Sequence, residues 1–76
     1  MVDVVEFIVK QLVEDKDSVS ITSELKDAME VITVKVASSE TGKIIGKKGK
    51  IVSAIRTIAK AVGAKRNTRY TVEIVD

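Results

Sequence analysis

Four residues near the middle of the chain, Gly46-Lys47-Lys48-Gly49, combine the properties that an anion site requires. Glycine has no Cβ, so Gly46 and Gly49 permit positive φ angles and a close approach of another backbone. Lys47 and Lys48 add two mobile ammonium groups between them. A predicted helix begins just after Gly49, and its first backbone N–H groups lack intrahelical partners. The segment is therefore predicted to bind phosphate groups.

Two better-known glycine motifs do not fit this spacing. A Walker A loop requires a second glycine five residues after the first, followed by Lys and then Ser or Thr, but position 47 is lysine. A dinucleotide-binding fingerprint requires Gly-x-Gly-x-x-Gly after a strand, and the four glycines of the chain do not have that spacing. We therefore expect no nucleotide cofactor at this turn.

The charges of the chain divide into blocks around the turn. Residues 1–41 contain four basic and nine acidic side chains, whereas residues 42–69 contain nine basic and no acidic ones. A block of this sign suits a polyanionic partner. The alternative is that the lysines only keep the outer face of a helix hydrated.

The composition argues against other classes of function. The chain has no histidine or cysteine, so it offers no familiar nucleophile–base pair, and we expect neither catalytic residues nor a metal site. Absence of cysteine also gives no sign of an oxidising compartment. No apolar stretch approaches the length of about 18 residues that a membrane span needs. A cytoplasmic protein without membrane contact is the expectation.

The first half of the chain predicts a helix and two strands. Apolar residues repeat at helical spacing over residues 3–14, and a short alternating strand follows around residues 19–22. Lys26-Asp27 predicts the turn into a β-branched strand over residues 30–37. The even positions of that strand are expected to face the core: Ile32, Val34 and Val36.

The second half predicts two helices on either side of the glycine turn and a last strand. A short helix starts at Ser38 and stops at Gly46, and a longer one runs from Gly49 to a left-handed cap at Gly63. Residues 70–75 alternate as a strand. The longer helix has an apolar stripe, which is formed by Ile51, Val52, Ile55, Ile58, Ala59 and Val62.

This order of elements, α-β-β-α-α-β, predicts an α+β fold in one domain over residues 1–76. A short turn makes the first two strands antiparallel, and the helical crossover lets the second and third strands pair in parallel. The expected result is a three-stranded mixed sheet, packed on one face by three helices.

The turn and its setting resemble the signature of the KH domain. Ile45-Gly46-Lys47-Lys48-Gly49-Lys50-Ile51-Val52 followed by Ile55 is similar to the pattern of an apolar residue, G-x-x-G, and apolar residues three and six positions later. The order of elements resembles the type II, bacterial arrangement. A chain of this size is similar to the KhpA family of small bacterial RNA-binding proteins. The resemblance spans the chain, with residues 38–62 as its specific core.

The resemblance implies single-stranded RNA binding, with about four nucleotides of backbone clamped by the G-x-x-G loop. Gly46 and Gly49 would permit close approach, and Lys47 and Lys48 would flank phosphates. An apolar groove for bases would be formed by Ile44, Ile45, Ile51 and Val52, with Val34 or Val36 nearby, although each of these is equally consistent with core packing. Basic support would come from Lys43, Lys50 and Arg56. Two interpretations are open for Lys65, Arg66 and Arg69, which would either extend the basic surface or only belong to a loop.

No aromatic residue lies near the motif in the sequence, so recognition is expected to depend on phosphates and aliphatic contacts and to be weakly sequence-selective. Useful affinity then requires two modules acting together. The resemblance implies self-association or pairing with a Jag-type KH protein, in the role of an RNA chaperone or post-transcriptional regulator. Two alternatives stay open: a protein-interaction module with a KH fold that binds no RNA, and single-stranded DNA binding.

Overall fold

The computed structural model describes residues 1–75 as a three-stranded sheet with helices on one face. The helices are α1 (Val2–Leu12), α2 (Thr41–Ile45) and α3 (Lys50–Arg66), and the strands are β1 (Ser20–Lys26), β2 (Met29–Lys35) and β3 (Arg69–Val75). Short 3-10 turns lie at Lys16–Ser18, Ser38–Glu40 and Lys47–Gly49. The predicted α+β fold and its order of elements are confirmed.

The sheet has the order β1-β2-β3 and the mixed pairing that the sequence predicted. β1 and β2 pair antiparallel, with Ile21 opposite Val34, and β2 and β3 pair parallel, with Ile32 opposite Val72. The turn between β1 and β2 lies one residue later than predicted. Its two central residues, Asp27 and Ala28, have φ angles of 50° and 64°. Positive φ at both positions is typical of a type I′ hairpin turn, whose twist matches that of the strands.

The core lies between the inner face of the sheet and the helices. Ile32 and Val34 of β2 are fully buried and Val36 is 3% exposed, so the predicted inward face of this strand is confirmed. The helices cover that face with buried aliphatic side chains: Val5, Val9, Ile44, Ile55 and Ala59. No helix within residues 1–75 has both the length and the apolar character to cross a membrane.

Two expectations about α3 are wrong. Ile58, assigned to the apolar stripe, is 42% exposed, because the buried stripe is narrower and runs through Val52, Ile55 and Ala59. Gly63 does not end the helix, which continues to Arg66 and is capped by Asn67 in the left-handed conformation. The N–H of Thr68 donates to the carbonyl of Gly63 over 2.8 Å and closes this end.

The reason for glycine at position 63 is therefore space rather than a positive φ angle. A Cβ placed on Gly63 would overlap the carbonyl oxygen of Thr68 and lie 3.1 Å from the ring of Tyr70. The close approach lets the chain turn directly from α3 into β3. This position contrasts with Gly42 in α2, where an added Cβ would meet nothing within 4 Å.

We expect Gly63→Ala to lower the free energy of unfolding by about 1–3 kcal/mol, since the added methyl group overpacks the junction between α3 and β3. Gly42→Ala is the matched control, and it should raise stability by roughly 0.5–1 kcal/mol through the reduced entropy of the unfolded chain. Urea unfolding followed by circular dichroism measures both. A stabilised Gly63→Ala protein would contradict this account of the junction.

Candidate nucleic-acid interface

The glycine-bracketed turn joins α2 to α3 through an unusual backbone path. Gly46 has φ 77° and ψ 174°, Lys48 has φ 57° and ψ 27°, and Gly49 has φ 73° and ψ 15°. The N–H of Gly49 donates to the carbonyl of Gly46 over 3.1 Å. Three of the four residues thus have positive φ angles, and these four residues alone connect α2 to α3.

The two glycines meet different requirements. The conformation of Gly46 belongs to a region of φ/ψ space that is essentially restricted to glycine. A Cβ at this position would also lie 2.5 Å from the Ile51 side chain. Gly49 has the ordinary left-handed conformation, which asparagine and aspartate tolerate, and an added Cβ there would meet nothing within 4 Å. Close packing of the turn on α3 therefore depends on Gly46.

The backbone N–H groups at the turn are less available than the sequence suggested. Gly49 donates to Gly46, and the N–H of Lys50 donates to the carbonyl of Lys47. The expectation of unpaired donors at the start of the second helix is therefore wrong for these two groups. Positive charge at the turn comes mainly from the lysine side chains.

The lysines of this region differ in their partners. Lys47, Lys48 and Lys50 are exposed, and among residues 1–75 none of them has an ion-pair partner. Lys43 instead lies 3.3 Å from a carboxylate oxygen of Glu40 and 3.8 Å from one of Glu14. The structure thus places three lysines that have no ion-pair partner among residues 1–75 at one end of α3, whereas Lys43 forms ion pairs with acidic residues.

A buried carboxylate, which the sequence analysis did not single out, anchors the helix before the turn. Glu40 is 5% exposed and accepts hydrogen bonds from the backbone N–H groups of Glu14 at 2.6 Å and Asp15 at 3.1 Å. These bonds tie the segment after α1 to the start of α2. The only sequence signal was the Glu40–Lys43 spacing of three residues, which is typical of an ion pair on a helix.

The same hydrogen bonds affect the ionisation of Glu40. The N–H of Glu14 lowers the pKa of this carboxyl below its ordinary value of 4.5, and Asp15 and Lys43 act in the same direction. Burial opposes them, because it disfavours the charged form. The carboxylate is therefore held in its ionised form by the fold.

The predicted apolar groove residues separate into core and surface. Ile44 and Val34 are fully buried, Val36 is 3% exposed and Val52 is 8% exposed, so their side chains are packed inside the protein. Ile45 is 39% exposed, and Ile51 is half-buried against Gly46. Apolar surface next to the turn therefore comes from Ile45 and Ile51. The other two predicted groove residues, Ile44 and Val52, belong to the core.

The remaining basic residues extend along α3 and into β3. Arg56 is exposed, and its Nε donates to the carbonyl oxygen of Val72 over 3.1 Å, which fixes the guanidinium against β3. Lys65, Arg66 and Arg69 are exposed at the far end of the helix. Tyr70, which the sequence analysis assigned only to the alternating last strand, lies half-buried on this basic side. The feature of the sequence that could have indicated this position is the basic residue Arg69 directly before Tyr70.

Comparison with known proteins supports this reading of the fold. The family model described as KhpA/KhpB, KH domain matches residues 2–74. The chain belongs to this KH-domain family. A search of solved structures gives no match.

Several curated relatives of this KH domain are similar over nearly their whole length. An RNA-binding protein KhpA from Borreliella burgdorferi is 40% identical over 75 residues, which are 99% of this chain and 92% of that protein. The protein of the same name from Aquifex aeolicus is 42% identical, over 97% of this chain and 94% of its own. The one from Clostridium perfringens is 39% identical, over 99% of this chain and 100% of its own.

The two glycines of this KH domain should differ in their tolerance of a side chain. We expect Gly46→Ala to cost about 3 kcal/mol or more, since it combines a forbidden backbone conformation with overlap on Ile51. Gly49→Ala should lower the free energy of unfolding by about 1 kcal/mol, and Gly49→Asn by less, because the left-handed backbone conformation is the only requirement at position 49. Urea unfolding of the three variants measures the difference, and equal costs at the two positions would refute this distinction.

Glu40→Gln should lower stability at pH 7, since the amide cannot pair with Lys43 and accepts the two backbone bonds more weakly. Because the folded-state pKa of Glu40 lies below 4.5, the stabilisation is complete above the unfolded-state pKa. It is lost as the pH falls through the folded-state value. The stability gap between the two proteins should therefore narrow below about pH 4.5.

The matched control is Glu24→Gln, which changes an exposed carboxylate whose partner, Lys26, lies 3.9 Å away. Surface pairs of this kind contribute little, so this variant should unfold like the parent at every pH. Chemical unfolding between pH 3 and pH 7 compares the three proteins. A gap between Glu40→Gln and the parent that is independent of pH would contradict the assigned role of the carboxylate.

Proposed function

We propose that this protein binds single-stranded RNA, with the Gly46–Gly49 turn acting as a clamp on the phosphate backbone. The observation that carries the proposal is the turn itself, where two glycines at positive φ hold Lys47 and Lys48 exposed and without ion-pair partners among residues 1–75. Cations that are not already neutralised can engage phosphates and release the counterions of the nucleic acid. The curated relatives are named RNA-binding proteins, which supports RNA as the polyanion.

The proposed contacts divide into phosphate and base neighbours. Lys47, Lys48 and Lys50 would contact phosphates, and Gly46 and Gly49 would allow the backbone of the strand to come close. The apolar surface beside the turn comes from Ile45, which is exposed, and Ile51, which is half-buried. Because this surface is small and aliphatic, it adds little discrimination between bases, and binding would be weakly sequence-selective.

A clamp of this size would not act alone. Contact with three or four phosphates of a single strand predicts a slope of about −2 to −3 in log K against log salt, which corresponds to modest affinity. Pairing two clamps on one strand raises the overall affinity through effective concentration without new contacts. We therefore propose that the protein acts with a second KH module, by self-association or with a Jag-type KH partner, as an RNA chaperone or post-transcriptional regulator.

The test replaces both loop lysines in the variant Lys47→Asp/Lys48→Asp. Aspartate tolerates the left-handed conformation of Lys48, so the fold should persist. We expect at least tenfold weaker binding to a short single-stranded RNA and a smaller salt slope, as measured by titration at several salt concentrations. Circular dichroism verifies the fold of the variant.

The matched control is Lys10→Asp/Lys26→Asp, which makes the same change in net charge on α1 and β1. Both lysines form only exposed pairs, with Glu6 and Glu24. The control should keep most of the RNA affinity. If the loop variant folds and binds RNA as tightly as the parent, the turn is not the binding site, and the protein-interaction function is favoured. Equal affinity for RNA and DNA of the same sequence would favour a clamp for either nucleic acid.

A further inference from the structure

Lys43, the basic residue of α2, has different surroundings from the lysines of the glycine turn. It lies in the last turn of α2, three residues before Gly46, and therefore about 5 Å from the turn along the helix axis. Its Nζ atom lies 3.3 Å from a carboxylate oxygen of Glu40 and 3.8 Å from one of Glu14. This cluster of one ammonium group and two carboxylates is negatively charged as a whole.

The two carboxylates of the cluster have different roles. Glu40 is buried and accepts hydrogen bonds from two backbone N–H groups, so it belongs to the structure of the fold. The Glu14 side chain is 90% exposed, and among residues 1–75 its ion-pair partner is Lys43, whose side chain is 46% exposed. Surface pairs of this kind contribute little to stability. The fold therefore does not require the Glu14 carboxylate, which faces the same solvent as the ammonium group.

The backbone of Glu14 explains why its side chain stays beside Lys43. The N–H of Glu14 donates to Oε1 of Glu40 over 2.6 Å, and the same oxygen accepts a hydrogen bond from Nζ of Lys43 over 3.3 Å. The N–H of Asp15 donates to the second oxygen of Glu40 over 3.1 Å, which fixes the direction of the chain at this point. Glu14 and Lys43 are thus anchored on one atom, and the two exposed side chains start from neighbouring positions.

The other acidic side chains of this segment are not paired with Lys43. Asp15 accepts a hydrogen bond from the hydroxyl of Ser18 over 2.6 Å. Asp17 is exposed and has no ion-pair partner among residues 1–75. Glu14 and Asp17 therefore carry the same charge on the same exposed segment, but of the two Glu14 alone forms an ion pair with Lys43.

We propose that Glu14 competes with RNA phosphate for Lys43 and so ends the phosphate-binding surface on the α2 side of the turn. The proposal rests on the proposed function of the turn, because it concerns which lysines the bound strand can reach. A phosphate that approaches Lys43 meets a carboxylate oxygen 3.8 Å from the ammonium nitrogen, and the like charges repel each other. Phosphate contacts are thereby confined to Lys47, Lys48 and Lys50.

This restriction affects both the affinity and the selectivity of binding. Without the charge of Glu14, Lys43 would face solvent beside Glu40 alone, whose carboxylate is buried and bonded to two backbone donors. Lys43 could then neutralise one more phosphate. Contacts to phosphate carry no sequence information, so an additional one strengthens binding to every sequence equally. Glu14 therefore limits the share of sequence-independent contact in the binding of a strand.

Removal of one negative charge at either of two positions tests the proposal. Glu14→Gln removes the carboxylate beside Lys43, and Asp17→Asn is the matched control. The probe is a single-stranded RNA of eight adenosines, titrated at several salt concentrations. We expect Glu14→Gln to bind about fivefold more tightly than the parent, with a slope of log K against log salt that is steeper by about 0.7. Asp17→Asn should keep the parental slope and bind within about twofold of the parent, because salt screens its charge.

A second comparison tests whether the gain depends on Lys43. Addition of Lys43→Gln to the Glu14→Gln protein should remove both the tighter binding and the steeper salt slope. Addition of Lys10→Gln is the matched control, since this lysine forms an exposed pair with Glu6 on α1, and the gain should persist. Circular dichroism verifies the fold of each variant, which we expect to survive because the backbone bonds to Glu40 are unchanged.

Equal affinities of Glu14→Gln and Asp17→Asn, or a gain that persists after removal of Lys43, would overturn the proposal. These outcomes are distinct from failure of the proposed function. If the turn is not a clamp, the variant Lys47→Asp/Lys48→Asp binds the octamer of adenosines as tightly as the parent does. If only the proposal for Glu14 fails, that variant loses affinity while Glu14→Gln binds as Asp17→Asn does.

Discussion

Parallel pairing of β2 with β3 is the constraint on which the rest of the structure depends. Two parallel neighbours cannot be joined by a hairpin, so the chain must cross over the sheet between Lys35 and Arg69. The crossover consists of α2 and α3, which are joined by the Gly46–Gly49 turn alone. This turn requires backbone conformations that favour glycine. Its exposed lysines, Lys47 and Lys48, are consequently presented where the crossover passes from one helix to the next.

A network of polar contacts holds the start of the crossover in place. The Glu40 carboxylate bonds to the chain after α1, and Lys43 lies beside it. Such a buried carboxylate is stabilising only when its hydrogen bonds are satisfied, as they are here. Because α2 has only five residues, its position depends on these contacts and on fully buried Ile44 more than on helix propensity. The same contacts leave Lys43 less available to an external anion than Lys47, Lys48 and Lys50.

The glycines show how far local patterns predict the site. Gly46 and Gly49 were predicted at a bend between two helices, and this setting is confirmed by the left-handed backbone of the turn. Gly63 was predicted as a helix cap, but glycine at this position instead prevents overlap with Thr68 and Tyr70. Both uses of glycine look alike in the sequence. They differ only in which atoms lie close to the absent Cβ, and those atoms belong to residues placed by the tertiary fold.

The sequence by itself determined the order of elements, the mixed sheet, the inward face of β2 and the concentration of positive charge in residues 42–69. These features follow from local periodicity and from residue type, which act over a few positions of the chain. Only the tertiary structure decided which of the predicted groove residues, Ile44, Ile45, Ile51 and Val52, keep exposed surface. It also decided which lysines lie close to acidic side chains. Each of these depends on distances between residues that are remote in the sequence, and local patterns carry no information on such distances.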